Sequence, residues 1–136
     1  MKAKVKAVNF DGFPCIYWND AAKISYLQRR ILVYSLQYYI YDDNCVSDRC
    51  YDACCIQLHQ MMQECDEEEV KASTYYYVFY DFEPGTGYHL PSRLTREDYK
   101  YLTGIALYVL EQWNKLEVKK QKEMLLDGIN RIEGLD

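Results

Sequence analysis

The chain has 136 residues, 49% of them hydrophobic and 27% charged, with a formal net charge of −5, which is the make-up of one ordinary globular domain long enough to bury a core. The charge is unevenly placed: residues 41–85 hold eleven acids against only Arg49 and Lys71, a net of −9, whereas the remainder carries ten acids and fourteen bases, a net of +4. An acidic middle excludes that surface from gripping a phosphate backbone and suits a basic partner or plain solubility.

Tyrosine is over-represented, with 15 against 4 Phe and 2 Trp. Each tyrosine joins an apolar ring to a polar tip, which fits half-buried positions, interfaces and nucleotide pockets. The N-terminus lacks an apolar signal region, and the longest greasy run, Ile31 to Ile40, is broken by Ser35 and Gln37 and is too short to span a bilayer. The expectation is a cytoplasmic protein that does not engage a membrane. Its six cysteines are then expected to be thiols rather than a disulfide framework.

Residues 2–10 alternate Lys with small apolar residues, the period of a half-buried strand. Asp11-Gly12-Phe13-Pro14 reads as a turn, and Cys15 to Trp18 as a second short strand completing a hairpin. Asn19 or Asp20 caps a first long helix over 21–40, with Ile24, Leu27, Ile31, Tyr34 and Tyr38 at helical spacing. Leu32, Val33 and Leu36 widen its apolar surface, so it is expected to be buried on more than one side. Arg29 and Arg30 fall on its polar side. After a tight acidic loop, Ser47 caps a second helix, and Asp48 sits at the positive end of that helix dipole. Tyr51, Cys54, Cys55, Leu58, Met61, Met62 and Cys65 form its apolar stripe, and Asp66 to Glu69 reads as a solvated acidic tail.

The aromatic, β-prone run Tyr75 to Tyr80 predicts a strand over 75–82 that partners the N-terminal one. Glu83 to Gly87 is a turn, and no Gly-Lys-Ser/Thr follows it, so a P-loop is excluded. Thr95-Arg96-Glu97-Asp98 has the layout of a capping box and starts a third helix, placed at 96–126. Its face carries Leu102, Ile105, Ala106, Val109, Leu110, Trp113 and Leu116. Residues 117–133 are Lys/Glu-rich and weakly amphipathic through Val118, Leu125, Ile129 and Ile132, with Gly128 and Gly134 as limits. The fold class that follows is α+β and mainly helical. One domain over 1–136 combines a helical hairpin (21–65) and a third long helix with a small antiparallel sheet (2–18 and 75–82).

The run Tyr38-Tyr39-Ile40-Tyr41-Asp42, then Val46-Ser47-Asp48-Arg49-Cys50-Tyr51-Asp52, resembles the N-terminal helical subdomain of bacterial NAD-dependent DNA ligases. In that family the pattern is Tyr-(Tyr/His)-x-x-Asp, a short loop, then (Ile/Val)-(Ser/Pro)-Asp-x-x-Tyr-Asp. The resemblance implies a clamp for the nicotinamide mononucleotide half of NAD. Tyr38 would stack on the ring, Tyr39 would match the family's variable Tyr/His, and Asp42 the acid before the loop. Asp48, Tyr51 and Asp52 would take the ribose, amide and ring charge. A flat cation suits an aromatic face with carboxylates. Asn44 stands where the family usually has Pro, and Cys45, Cys50, Cys54 and Cys55 replace commonly charged or apolar residues.

Ligase chemistry needs a lysine in Lys-x-Asp-Gly. Here Asn9 precedes Asp11-Gly12 and Leu125 precedes Asp127-Gly128, and the chain has no room for a nucleotidyltransferase core. The flanks, among them Tyr17-Trp18, Leu27 to Tyr34, Tyr75 to Phe82, Gly85 to Leu90, Arg93-Leu94 and Tyr101 to Ala106, resemble small stand-alone ligase-related proteins of Firmicutes phages and prophages.

A zinc reading competes at the cysteines. Cys50 and Cys54 are i, i+4 on one helix, as are Cys55 and His59, with Cys45 one turn upstream. The bland reading is that these thiols pack on an apolar stripe, with His59 on the helix surface and His89 in a loop. No catalytic constellation emerges. The functional expectation is a non-enzymatic phage-encoded interaction protein of an infected or lysogenic bacterium, without direct nucleic-acid contact. Its acidic, Tyr-rich surface would engage a basic nucleic-acid-binding protein, inhibiting a host nucleic-acid enzyme or defence nuclease in the manner of an anti-CRISPR. The alternatives are a NAD or nicotinamide-mononucleotide binding module and a zinc-stabilised interaction protein.

Overall fold

The computed structural model describes residues 13–15, 17–42, 46–85 and 87–133, of which 87, 88 and 116–133 are described by backbone alone. Five α-helices follow one another among them: α1 (Asp20–Tyr41), α2 (Asp48–Glu64), α3 (Glu67–Lys71), α4 (Tyr76–Phe79) and α5 (Arg96–Glu133), with a 3-10 helix over Gly87–Arg93 before the last. The organising element is α1. Ile24, Leu27, Ile31, Leu32, Val33 and Leu36 are all buried along it, and so are three polar residues, Gln28, Ser35 and Gln37. An apolar surface this wide has to be covered from several directions, and α2, α3, α5 and the 3-10 helix all pack on α1.

Local chemistry sets the ends of these helices. The Asn19 side chain accepts from the Ala22 amide at 2.9 Å and starts α1. Ser47 does the same for α2, accepting from Cys50 N at 3.2 Å, and Thr95 for α5, accepting from Asp98 N at 3.2 Å. Each satisfies one of the amides that a helix start leaves without a partner. α1 stops at Asp42, whose φ of +52° is left-handed and whose amide donates to Gln37 O. Asp is among the few residues that tolerate this conformation.

The structure overturns the expected sheet. Among the described residues there is no strand: Tyr76–Phe79 is helix α4, with turns at Tyr75 and at Tyr80 and Asp81. Tyr75, Val78, Phe79 and Phe82 are buried; their spacing of i, i+3, i+4 and i+7 is that of a helix face. β-propensity is a packing preference rather than a backbone one, and the core on α1 rewards the helical arrangement. Cys15, Tyr17 and Trp18 do not form a strand either. Phe13 is buried, and its ring meets those of Trp18 and Tyr26 at 6.5 and 5.7 Å. The strand placed at 2–10 lies outside the described residues.

The acidic tail is solvated at Asp66, Glu67 and Glu68, but Glu69 is half-buried. Residues 67–71 form α3, and Glu69 accepts from the Ala21 amide at 2.8 Å, capping α1 from across the fold. Next to it runs a buried polar chain. Gln28 Nε2 donates to Ser73 Oγ at 3.0 Å, Ser73 Oγ donates to Val70 O at 2.6 Å, and Tyr75 N donates to Gln28 Oε1 at 3.0 Å. Thr74 N donates to Ser25 Oγ at 2.9 Å. One glutamine thus satisfies a buried amide that would otherwise lack a partner and gives the buried Ser73 hydroxyl a second one.

α1 and α5 run in the same direction. Tyr75, bonded to Gln28, lies within electrostatic reach of Arg29, Asp98 and Tyr101, whereas Gln37 Nε2 donates to Ala106 O at 3.2 Å. The early part of α1 is therefore level with the start of α5, and its end with the middle. Leu102, Ala106 and Leu110 are the buried stripe of α5. Beyond it, residues 111–115 are all exposed, Trp113 at 39%. α5 continues through Gly128 to Glu133, past the expected end at 126.

Replacing Gln28 by Ala leaves the Tyr75 amide and the Ser73 hydroxyl buried with partners missing. The expected loss is about 2–4 kcal/mol, read as a fall in the urea midpoint at unchanged slope. A loss below about 0.5 kcal/mol would show that water replaces the glutamine.

Candidate site at the hairpin tip

α1 and α2 pack side by side, and the turn between them brings the end of one to the start of the other. Tyr38 and Tyr39 are each 52% exposed on the last turn of α1, beside Ile40 at 40%. Their rings meet edge to face at 5.1 Å. Asp42 is exposed at the end of α1, and Asp48 and Asp52 are exposed on the first turns of α2. None of these three carboxylates meets a cation among the described residues, and the adjacent base, Arg49, is itself exposed. The tip is therefore a solvated surface bearing negative charge and aromatic edges.

Tyr51 belongs to the scaffold rather than to this surface. Its hydroxyl pairs with Ser35 Oγ at 2.9 Å, a buried residue of α1. Burial pushes its pKa up to about 12, against a partial offset from the Ser35 bond. Cys55, buried beside it, is likewise raised to about 12 by burial first and then by the neighbouring Cys54 and Asp52. A hydroxyl committed to Ser35 is not free to bind a ligand's ribose or amide. Of the six residues the ligase resemblance names, Tyr38, Tyr39, Asp42, Asp48 and Asp52 share the exposed tip, and Tyr51 ties α1 to α2.

Cys54 and Cys55 are buried and Cys50 is exposed; Cys45 lies outside the described residues. His59 is half-buried rather than on the helix surface. Its Nδ1 lies 3.3 Å from Phe82 O and so carries the proton, which leaves Nε2 to accept from Gln63 Nε2 at 3.1 Å. Among the described residues no group of three or more His, Cys, Asp or Glu could hold a metal ion. No described helix is long and apolar enough to cross a membrane.

One arrangement escaped the sequence reading. Arg30 is half-buried, with its guanidinium 5.5 Å from the Tyr26 ring centre and 5.6 Å from that of Tyr34. It also donates to the Tyr34 hydroxyl at 3.0 and 3.1 Å. The signal was the i−4, i, i+4 spacing of Tyr26, Arg30 and Tyr34, which stacks a cation between two rings on one helix face.

Family models, curated proteins and solved structures yield no match to this chain.

Raised folded-state values at Tyr51 and Cys55 make stability depend on alkaline pH. The unfolded thiol and phenol lose their protons from about pH 9 and 10, whereas the folded ones hold them to about 12. Stability is therefore complete below about pH 9 and falls toward pH 12. Urea midpoints across that range should fall more steeply for the native chain than for Tyr51→Phe, and equal slopes would show that the ring is not buried in solution.

Proposed function

We propose that the chain is a non-enzymatic interaction protein whose hairpin tip binds the basic surface of a nucleic-acid enzyme and inhibits it. The observation that supports this most is the coincidence of two exposed tyrosines with three exposed carboxylates that meet no cation among the described residues, all on one tip. Such a surface attracts a partner evolved to hold phosphates, because it offers negative charge in their place. Tyrosine adds large contact area at low entropic cost. A phage origin and the role of blocking a defence nuclease rest on the resemblance of the flanks to stand-alone ligase-related phage proteins.

A second reading is a nicotinamide-nucleotide module, favoured by the edge-to-face pair Tyr38 and Tyr39 beside the aspartates. With Tyr51 turned inward, that clamp would lack one of its polar contacts.

The test uses the triple variant Asp42→Asn, Asp48→Asn, Asp52→Asn. Asparagine tolerates the left-handed backbone at 42, so the charge is removed without disturbing the turn. Captured on a column, the native chain should retain basic nucleic-acid-binding enzymes from a bacterial lysate, release them at about 0.5 M salt and inhibit them in assay. The triple variant should bind about tenfold more weakly or worse. Retention that survives the triple substitution overturns the reading. Calorimetric binding of nicotinamide mononucleotide that is lost in Tyr38→Ala would favour the second one.

A further inference from the structure

Helix α5 leaves one face in solvent. Its buried stripe, Leu102, Ala106 and Leu110, lies on the side that packs against α1. On the other side Glu97, Tyr101, Gly104, Tyr108, Glu111 and Lys115 are all exposed, with Tyr101 at 59% and Tyr108 at 62%. Intervals of four, three, four, three and four residues keep these six in one line along the helix. None of Glu97, Glu111 and Lys115 forms an ion pair among the described residues.

Gly104, near the middle of that line, is not called for by the chain itself. Its backbone is not left-handed, and a Cβ there would meet nothing within 4 Å. Glycine is, after proline, the least favourable residue in a helix interior. What it permits is the close approach of another body to the helix.

The line is also self-complementary. Reflected about the level of residue 106 it maps onto itself: 97 falls opposite 115, 101 opposite 111, and 104 opposite 108. Each pair is chemically matched. Glu97 meets Lys115, the Tyr101 hydroxyl can donate to the Glu111 carboxylate, and the Tyr108 ring fills the gap at Gly104. We infer that α5 pairs through this face with α5 of a second copy of the chain, antiparallel, about a two-fold axis level with residue 106. Every match then occurs twice, and the contact is isologous and closed. Leu107, 40% exposed beside the line, comes close to its own counterpart and adds apolar area at the centre. The bordering charges, Asp98 and Lys100, come level with the neutral Asn114 and Gln112. Parallel pairing would instead set Glu97, Glu111 and Lys115 each against itself, and like charges repel.

One helix face per copy is a small contact, so the association is a weak one. The experiment is sedimentation velocity on the full chain from about 10 to 500 µM, over which a monomer should give way to a dimer. Gly104→Leu fills the gap with a good helix former; it should melt no lower than the native chain and stay monomeric. Glu97→Lys and Lys115→Glu each set like charges face to face at two places in the dimer, and each should weaken association about tenfold. The double reversal Glu97→Lys, Lys115→Glu restores the match only where 97 faces 115, and it should recover association to within about threefold. A monomer at every concentration, a dimer that survives Gly104→Leu, or a double reversal no tighter than the single ones would each overturn the inference. The hairpin-tip reading stands apart from all of these outcomes, since it is read from lysate capture.

Discussion

The arrangement rests on the burial of α1 from nearly every side. A helix with Leu27, Ile31, Leu32 and Leu36 each at 1% exposure or less gains roughly 1.5–3 kcal/mol per large side chain removed from water, but only if other elements arrive to cover it. Full burial has a second effect. Turns that face solvent in an ordinary amphipathic helix here carry Gln28 and Gln37 into the interior, and each finds backbone partners, Tyr75 N and Ala106 O. Apolar area supplies the drive, and these two amides fix where the 69–75 segment and α5 dock along the helix.

That division explains the contrast between the two ends of α1. At its start it is tied down by Glu69, Asn19 and the Phe13, Trp18 and Tyr26 rings. At its finish Tyr38, Tyr39 and Ile40 are left in solvent. Whether the tip has a function depends on what it displays: two half-exposed tyrosines and three exposed carboxylates that meet no cation among the described residues.

Much of this was legible in the chain wherever the determinant was local. Asn19, Ser47 and Thr95 cap the helices they precede, because a cap is a bond between residues two or three apart. The breadth of the apolar surface on α1 announced its burial. The strand at Tyr75 to Phe82 was misread because aromatic enrichment was given more weight than period, although the buried set 75, 78, 79 and 82 has helical spacing. Glu69 and Gln28 were not legible as partners of Ala21 and Tyr75: those bonds span 48 and 47 residues, and nothing local marks them. At the site, spacing gathers all six residues at one tip, but helical period does not reveal that Ser35 would claim the Tyr51 hydroxyl.

The Tyr51–Ser35 contact bears on how a motif should be weighed. A run such as Tyr38 to Asp52 mixes residues that hold a hairpin together with residues that a hairpin merely displays, and a resemblance in sequence does not separate them. Asp42 closes α1 through its backbone, Asp48 favours the dipole of α2, and Tyr51 bridges the pair. Tyr38, Tyr39 and Asp52 are the more exposed members: Tyr38 and Tyr39 are half exposed with their rings on each other, and Asp52 stands in solvent and meets no cation among the described residues. Fold requirements therefore account for about half of the motif. The remainder, Tyr38, Tyr39 and Asp52, is exposed, so a motif of this kind has to be weighed residue by residue, by where the fold places each side chain.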